Sequence, residues 1–190
     1  MMKSVLIAIR PQWVEKIASG QKTIEVRKTA PKEVPFKAYI YETKGQYVKF
    51  THGAHTKYGY GRGKVIGAFI CDRIEMVNAK CSNYGIDLFY HDCLTNGCLT
   101  EREIEKYFNV PEDRDLRAMK GNGYVWNISD LKIYDKPREL SEFSRPCSYS
   151  GLCFSCKRTS FKKDGNLLCN TKITRPPQSW MHVEDLGEKE

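Results

Sequence analysis

The chain has 190 residues, room for one ordinary domain and a small appendage. Apolar types supply 41% of it and aromatics 12%, enough for a core, which excludes wholesale disorder. Lys+Arg exceeds Asp+Glu by 31 to 23, and the resulting +8 suits a polyanionic partner without specifying one. No apolar run reaches the roughly 20 residues of a membrane helix, and the opening run from Val5 to Ile9 is too short for a signal peptide. The chain therefore reads as soluble and cytoplasmic, with no membrane partner. Its eight cysteines read as free thiols or metal ligands rather than disulfides.

Ser4 to Ile9 predicts a buried strand. Pro11 suits the first turn of a helix whose apolar face is Trp13, Val14 and Ile17, and Gly20 suits the position just past its end. Lys22 to Lys28 alternates, Ile24 and Val26 to one side, Thr23, Glu25 and Arg27 to the other, which predicts a half-buried strand. Phe36 to Glu42 predicts another strand. The glycine-punctuated stretch 43–63 reads as a mobile loop or an irregular hairpin, and Lys64 to Val77 as one long strand with a bulge or close approach at Gly67. Thr100 and Glu103 form a capping box opening a helix that ends near Phe108. Tyr124 to Tyr134 reads as a strand interrupted near Ser129-Asp130, and Trp180 to Val183 as a terminal strand. About six strands and two helices without βαβ periodicity predict a small α+β barrel.

The most suggestive pattern is Gly20-x-Lys22-Thr23-x-Glu25-x-Arg27. A carboxylate between two cations on one strand face can pair internally as a salt-bridge ladder. It can equally hold a polar ligand, with the cations on phosphate and Glu25 accepting from a base amino group. Both readings stay open.

This strand–helix–GxKTxExR arrangement over residues 4–27 resembles the ASCH family of the PUA-like superfamily. Phe36 to Glu42, Gly67-Ala68-Phe69, Trp126 to Leu131, Lys136-Pro137 and the ending Arg175-Pro176-Pro177-Gln178-Ser179-Trp180 resemble its phage/Firmicutes-type members. The resemblance implies a PUA-like small mixed β-barrel with flanking short helices and a Cys-rich C-terminal segment. It divides the chain into a barrel at 1–145, a Cys-rich insertion at 146–172, and a completing strand and tail at 173–190. It also implies a cleft beside the first helix that binds RNA or modified bases. In similar proteins one branch hydrolyses N4-acetylcytidine and another is a ribonuclease. The amidohydrolase branch has a Thr three residues after its lysine. Here Lys22 matches the lysine, and the third residue on is Glu25. Trp126-Asn127 also departs, since many similar proteins carry His at the second position.

The expected function is RNA or modified-nucleotide binding. Lys22 and Arg27 hold phosphate or a base edge, Thr23 and Glu25 hydrogen-bond the base, Trp126 or Tyr41 stacks on it, and Arg10 adds positive potential at the mouth. The alternative is an enzyme on the same cleft, a ribonuclease or N4-acylcytidine-type amidohydrolase, with Lys22 and Glu25 as active groups. A third reading is a protein partner docked on the Cys-rich arm.

Cys147-x5-Cys153-x2-Cys156-x12-Cys169 has spacing compatible with one structural zinc, and buried thiols are the alternative. Four thiolates leave no open position for catalysis. Cys81, Cys93 and Cys98, with His91 nearby, form a weaker second set. In the stretch 43–63, Lys49, Lys57 and Arg62 among Tyr58, Tyr60, His52 and His55 suit nucleic-acid contact as well as simple solvation.

Overall fold

The computed structural model describes residues 2–53, 55–111, 116–147, 159–161, 167–169 and 171–187. The elements run β1 (Lys3–Ile9), α1 (Pro11–Ala18), β2 (Ile24–Arg27), β3 (Phe36–Glu42), β4 (Gly45–His52), β5 (His55–Gly61), β6 (Val65–Cys71), β7 (Ile74–Asn78), α2 (Asn83–Thr95), α3 (Glu101–Phe108), β8 (Asn122–Asn127), β9 (Ser129–Arg138), β10 (Thr159–Phe161), β11 (Leu167–Cys169) and β12 (Trp180–Val183).

A main sheet has the order β12-β1-β3-β6-β9, with β1 and β3 parallel and the other neighbours antiparallel. A small antiparallel sheet has the order β2-β8-β7. β4–β5 and β10–β11 are separate two-stranded ribbons. This is the expected mixed α+β architecture. The expected barrel, however, is open: among the described residues no strand pairing joins the two sheets into a ring.

β1 is apolar throughout because both of its faces are covered. Val5, Ile7 and Ile9 enter a core shared with α1 and the small sheet, while Leu6 and Ala8 enter a second core with Phe143 and Ile173. The outer face of the small sheet, Ile24, Val26, Val77 and Val125, packs on α2 and α3 through Ile86, Phe89, Ile104 and Phe108. The small sheet is therefore a middle layer. One of its faces looks at the main sheet and α1, the other at the helix pair.

Local chemistry matches several expectations. Pro11 starts α1, and Gly20 follows its end at φ +75°. Thr100 and Glu103 form the reciprocal capping box, and α3 stops at Asn109 in the left-handed region. The stretch 43–63 is the β4–β5 hairpin. The interruption in Tyr124 to Tyr134 falls between β8 and β9, with Asp130 at φ 46°.

The predicted run Lys64 to Val77 is instead two strands in two sheets. The chain turns at Asp72-Arg73, where Asn127 Nδ2 donates to Asp72 Oδ1 at 2.8 Å and the Asn127 amide to the Arg73 carbonyl at 3.0 Å. Helix α2 was not expected. Ser82 caps it, accepting from the Gly85 amide at 3.2 Å, and Ile86, Phe89 and Cys93 form its buried stripe. Gly85 and the exposed Tyr84 and Leu88 obscure that stripe in the sequence. Among the described residues no helix is long and apolar enough to cross a membrane.

Candidate functional site

Strand β2 places Glu25 and Arg27 on the inner face of the small sheet, two residues apart on one pleat. Lys22 reaches the same place from the turn after α1. All three are nearly closed to solvent, at 3% exposure for Lys22, 6% for Glu25 and 9% for Arg27. Charged side chains are buried this far only when paired, and these three pair with one another. Glu25 Oε1 accepts from Arg27 Nη2 at 3.0 Å, and Glu25 Oε2 lies 3.5 Å from Lys22 Nζ.

Backbone carbonyls complete the cage. Lys22 Nζ donates to the Gly97 carbonyl at 2.8 Å, which ties β2 to the end of α2. Arg27 Nη2 donates to the Ala8 carbonyl at 2.7 Å, and Nη1 to Ser179 Oγ at 3.4 Å. The RPPQSW ending thus closes over Arg27. The Ser179 carbonyl accepts from the Ala8 amide at 2.9 Å, and Trp180 packs edge-on against Trp126.

Three buried polar atoms in this layer have no hydrogen-bond partner among the described residues: Glu25 Oε2, Arg27 Nε and Trp126 Nε1. The Lys22 ammonium sits near Glu25 Oε2 at ion-pair distance without hydrogen-bond geometry. Glu25 and Trp126 are direct cross-strand partners, so their side chains leave the sheet on the same face, with Arg27 next along it. These are one acceptor and two donors, all closed to solvent, on one sheet face.

The remaining expected site residues are distributed differently. Trp126 is fully buried, in T-shaped contact with Phe36 at 5.1 Å and Trp180 at 5.9 Å, so it offers no stacking platform. Tyr41 is buried on the opposite face of the main sheet, because strand alternation sends Ile40 towards the network and Tyr41 away from it. Thr23 is exposed and lines a separate polar pocket of about 240 Å³ with Arg73, Glu75, Asp92, Asn96 and Asn127. Arg10 is the exposed N-cap residue of α1.

The structure adds Trp13, which the sequence marks only as part of a helix face. Its half-buried ring lies 5.7 Å from Lys22 Nζ and 5.0 Å from Lys16 Nζ. It is the partly open aromatic beside the network, the property expected of Trp126. The Gly97 carbonyl and Ser179 also escape sequence reading, since both act from more than 70 residues away along the chain.

Of the zinc set, Cys153 and Cys156 lie outside the described residues, as does the side chain of Cys169, while Cys147 is exposed. The second cysteine set does not assemble: the described residues hold no group of three metal-ligating side chains. Cys93 is instead core, and burial pushes its thiol up to about 12 against the opposing pull of the Lys22 charge. Cys98 donates weakly to the Gln21 carbonyl at 3.3 Å.

No family model and no curated protein matches the sequence. Solved structures do match. A point-substituted form of the ASCH protein from Zymomonas mobilis superposes with a TM-score of 0.54, covering 96% of this chain and 89% of that one at 16% identity. Another structure of ASCH from the same organism gives a TM-score of 0.48 over 73% and 74% of the two chains at 19% identity. The first of these likenesses spans nearly the whole chain, and the chain has an ASCH-type fold.

Proposed function

We propose that this ASCH-type fold binds RNA or a modified nucleotide, with Lys22, Glu25, Arg27 and Trp126 as the polar end of its recognition site. The observation that carries the reading is the set of three buried polar atoms without partners. Leaving such atoms unsatisfied costs about 1–3 kcal/mol each, so a site that keeps three of them is suited to a ligand that satisfies them. Glu25 Oε2 accepts, and Arg27 Nε and Trp126 Nε1 donate. An amino group beside a ring carbonyl or ring nitrogen, as on a nucleobase edge, has the complementary pattern. Trp13 supplies an aromatic face nearby.

The test is equilibrium dialysis of the protein against a pool of natural and modified ribonucleosides and short oligoribonucleotides, read by mass spectrometry. The expected result is selective retention of one base type, weakened at least tenfold by Glu25→Gln. No retained species, or equal retention by the variant, overturns the reading. Consumption of a species with a new product mass would instead assign the cleft to catalysis by Lys22 and Glu25.

A second reading concerns the cysteines. We infer that Cys147, Cys153, Cys156 and Cys169 hold one structural zinc. Backbone register supports it. Ser144 bridges Lys172 antiparallel, so Cys147 and Cys169 each stand three residues from that bridge on the same side. Thr159, three residues after Cys156, pairs with Cys169 in the β10–β11 ribbon. When bound, zinc would supply only a crosslink holding this polar segment together.

A further inference from the structure

The Lys22–Glu25–Arg27–Trp126 network is enclosed, so a ligand reaches it only through a wall, and its walls are unequally tied. On the Lys22 side the closure is mostly backbone. The Lys22 amide donates to the Lys16 carbonyl at 3.0 Å, the Thr23 amide to the Asn96 carbonyl at 3.0 Å, and Lys22 Nζ to the Gly97 carbonyl at 2.8 Å. These bonds clamp the start of β2 between the ends of α1 and α2.

On the Arg27 side the wall is a seam between two edge strands. β2 is an edge of the small sheet and β12 an edge of the main sheet. Among the described residues two hydrogen bonds span the seam, both between side chains. Arg27 Nη1 donates to Ser179 Oγ at 3.4 Å, and Trp180 Nε1 to Thr29 Oγ1 at 3.0 Å. Trp180 pairs with Ile7, so its indole lies on the inner face of the main sheet, in T-shaped contact with Trp126.

The chain leading into the seam is loosely held. Ile173 and Pro177 are buried and fix its start, whereas Gln178 is exposed and Ser179 and Trp180 are half-buried. From 174 to 179 no residue belongs to a strand. Among the described residues the one backbone hydrogen bond of this stretch runs from the Ala8 amide to the Ser179 carbonyl at 2.9 Å.

The closed seam leaves Glu25 Oε2, Arg27 Nε and Trp126 Nε1 buried without partners. Lifting it lets water reach them, which relieves the penalty of leaving them unsatisfied and offsets the lost packing of Trp180. Arg27 keeps Glu25 and the Ala8 carbonyl throughout, so no charge is orphaned. Opening on the Lys22 side would instead break two backbone bonds and strip the buried Lys22 ammonium of its carbonyl.

We propose that residues 178–180 are the gate of this site, opening between β2 and β12 by lifting Ser179 from Arg27 and the Trp180 indole from Trp126. The gate rests on the function proposed above for its purpose, but its motion is independent of any ligand.

The test is hydrogen–deuterium exchange of the Trp126 indole N–H, followed by NMR in protein carrying isotope-labelled tryptophan. That proton is buried and unpartnered, so it exchanges only when its surroundings open. The expected result is exchange that low urea does not accelerate, the sign of a local opening. Thr29→Val removes the acceptor for Trp180 and should speed this exchange about threefold or more. Its urea midpoint should match wild type, because Thr29 is exposed. Lys16→Gln removes the bond to the Cys98 carbonyl on the Lys22 side and should leave the exchange unchanged.

Exchange that urea accelerates as steeply as global unfolding overturns the proposal. So does exchange untouched by Thr29→Val, or equal acceleration by Lys16→Gln. Nucleoside retention separates the gate from the site. Local opening at Trp126 with no retained nucleoside leaves the gate and removes the binding reading. A retained nucleoside with Trp126 exchanging only on global unfolding removes the gate and leaves the site, entered from the Lys22 side.

Discussion

Glu25 and Trp126 face each other across the antiparallel β2–β8 pair, and each presents to the space between the two sheets a buried polar atom without a hydrogen-bond partner. Among the described residues Glu25 is also the only carboxylate paired with Lys22 and Arg27, so removing it leaves two buried cations uncompensated. Breaking a buried pair in this way costs about 3–5 kcal/mol. Glu25→Ala is expected to lose that much stability in urea unfolding. Glu25→Gln removes the same negative charge and should lose a comparable amount, whereas Glu25→Asp, which keeps the carboxylate, should lose less. A loss below about 1 kcal/mol for Glu25→Ala would show that the three charges do not form one cage.

Asp185 ties the C-terminal segment to the main sheet by accepting from the Tyr39 hydroxyl and pairing with Lys37 at 3.4 Å. Burial raises its carboxyl, but the bond from Tyr39 and the Lys37 charge outweigh burial and hold it below its usual value. A depressed carboxyl contributes stability above its unfolded pKa of about 3.9 and loses it as pH falls through the folded value. Asp185→Asn should therefore cost about 1 kcal/mol at pH 7, discounted for partial exposure, with the two proteins converging as pH falls below the folded value. Parallel stability–pH curves for the two proteins would contradict the assignment.

Burial pushes the thiols of Cys71 and Cys93 up to about 12, and both lie in the core. Cys81 and Cys98 are partly open. Iodoacetamide at pH 8 should label Cys81 and Cys98 in native protein and reach Cys71 and Cys93 only on unfolding, since thiolate and access are both required. Peptide mass mapping over time checks the order. Early labelling of Cys93 would mean that the α2 layer opens without global unfolding.

Metal analysis of the purified chain is expected to find one zinc, lost in Cys169→Ser together with a lowered melting temperature. A strong chelator should reproduce the shift in the wild type and leave Cys169→Ser unaffected. Metal-free protein with an unchanged melt after chelation would return the four cysteines to ordinary thiols.

Local interactions made much of this protein legible. Pro11 and Gly20 bound α1 because one lacks a helix-interior donor and the other tolerates a positive φ. Thr100 and Glu103 opened α3 through bonds three residues apart. Gly67 reads in the sequence as a bulge or a close approach, and in the fold a Cβ there would meet the Lys132 carbonyl at 2.4 Å while the β6–β9 register shifts between Val65 and Gly67. The alternation of Glu25 and Arg27 against Ile24 and Val26 follows from the strand pleat alone, and it placed the two charges on one face.

Tertiary packing decided what covered that face. Nothing local distinguishes Trp126 as a wall or Trp13 as the open ring, because their exposure depends on Phe36 and Trp180 and on where α1 docks. Tyr41 looked equivalent to its neighbours until the main sheet acquired a second core on its far side. The corner at Asp72-Arg73 depends on Asn127 from a distant strand, so Lys64 to Val77 read as one element. The sequence by itself determined the caps, the alternation and the charges of the Lys22–Glu25–Arg27 set. Only the tertiary structure decided their burial, the carbonyls of Ala8 and Gly97 that hold them, and the three polar atoms left open, because those depend on chain segments brought together from afar.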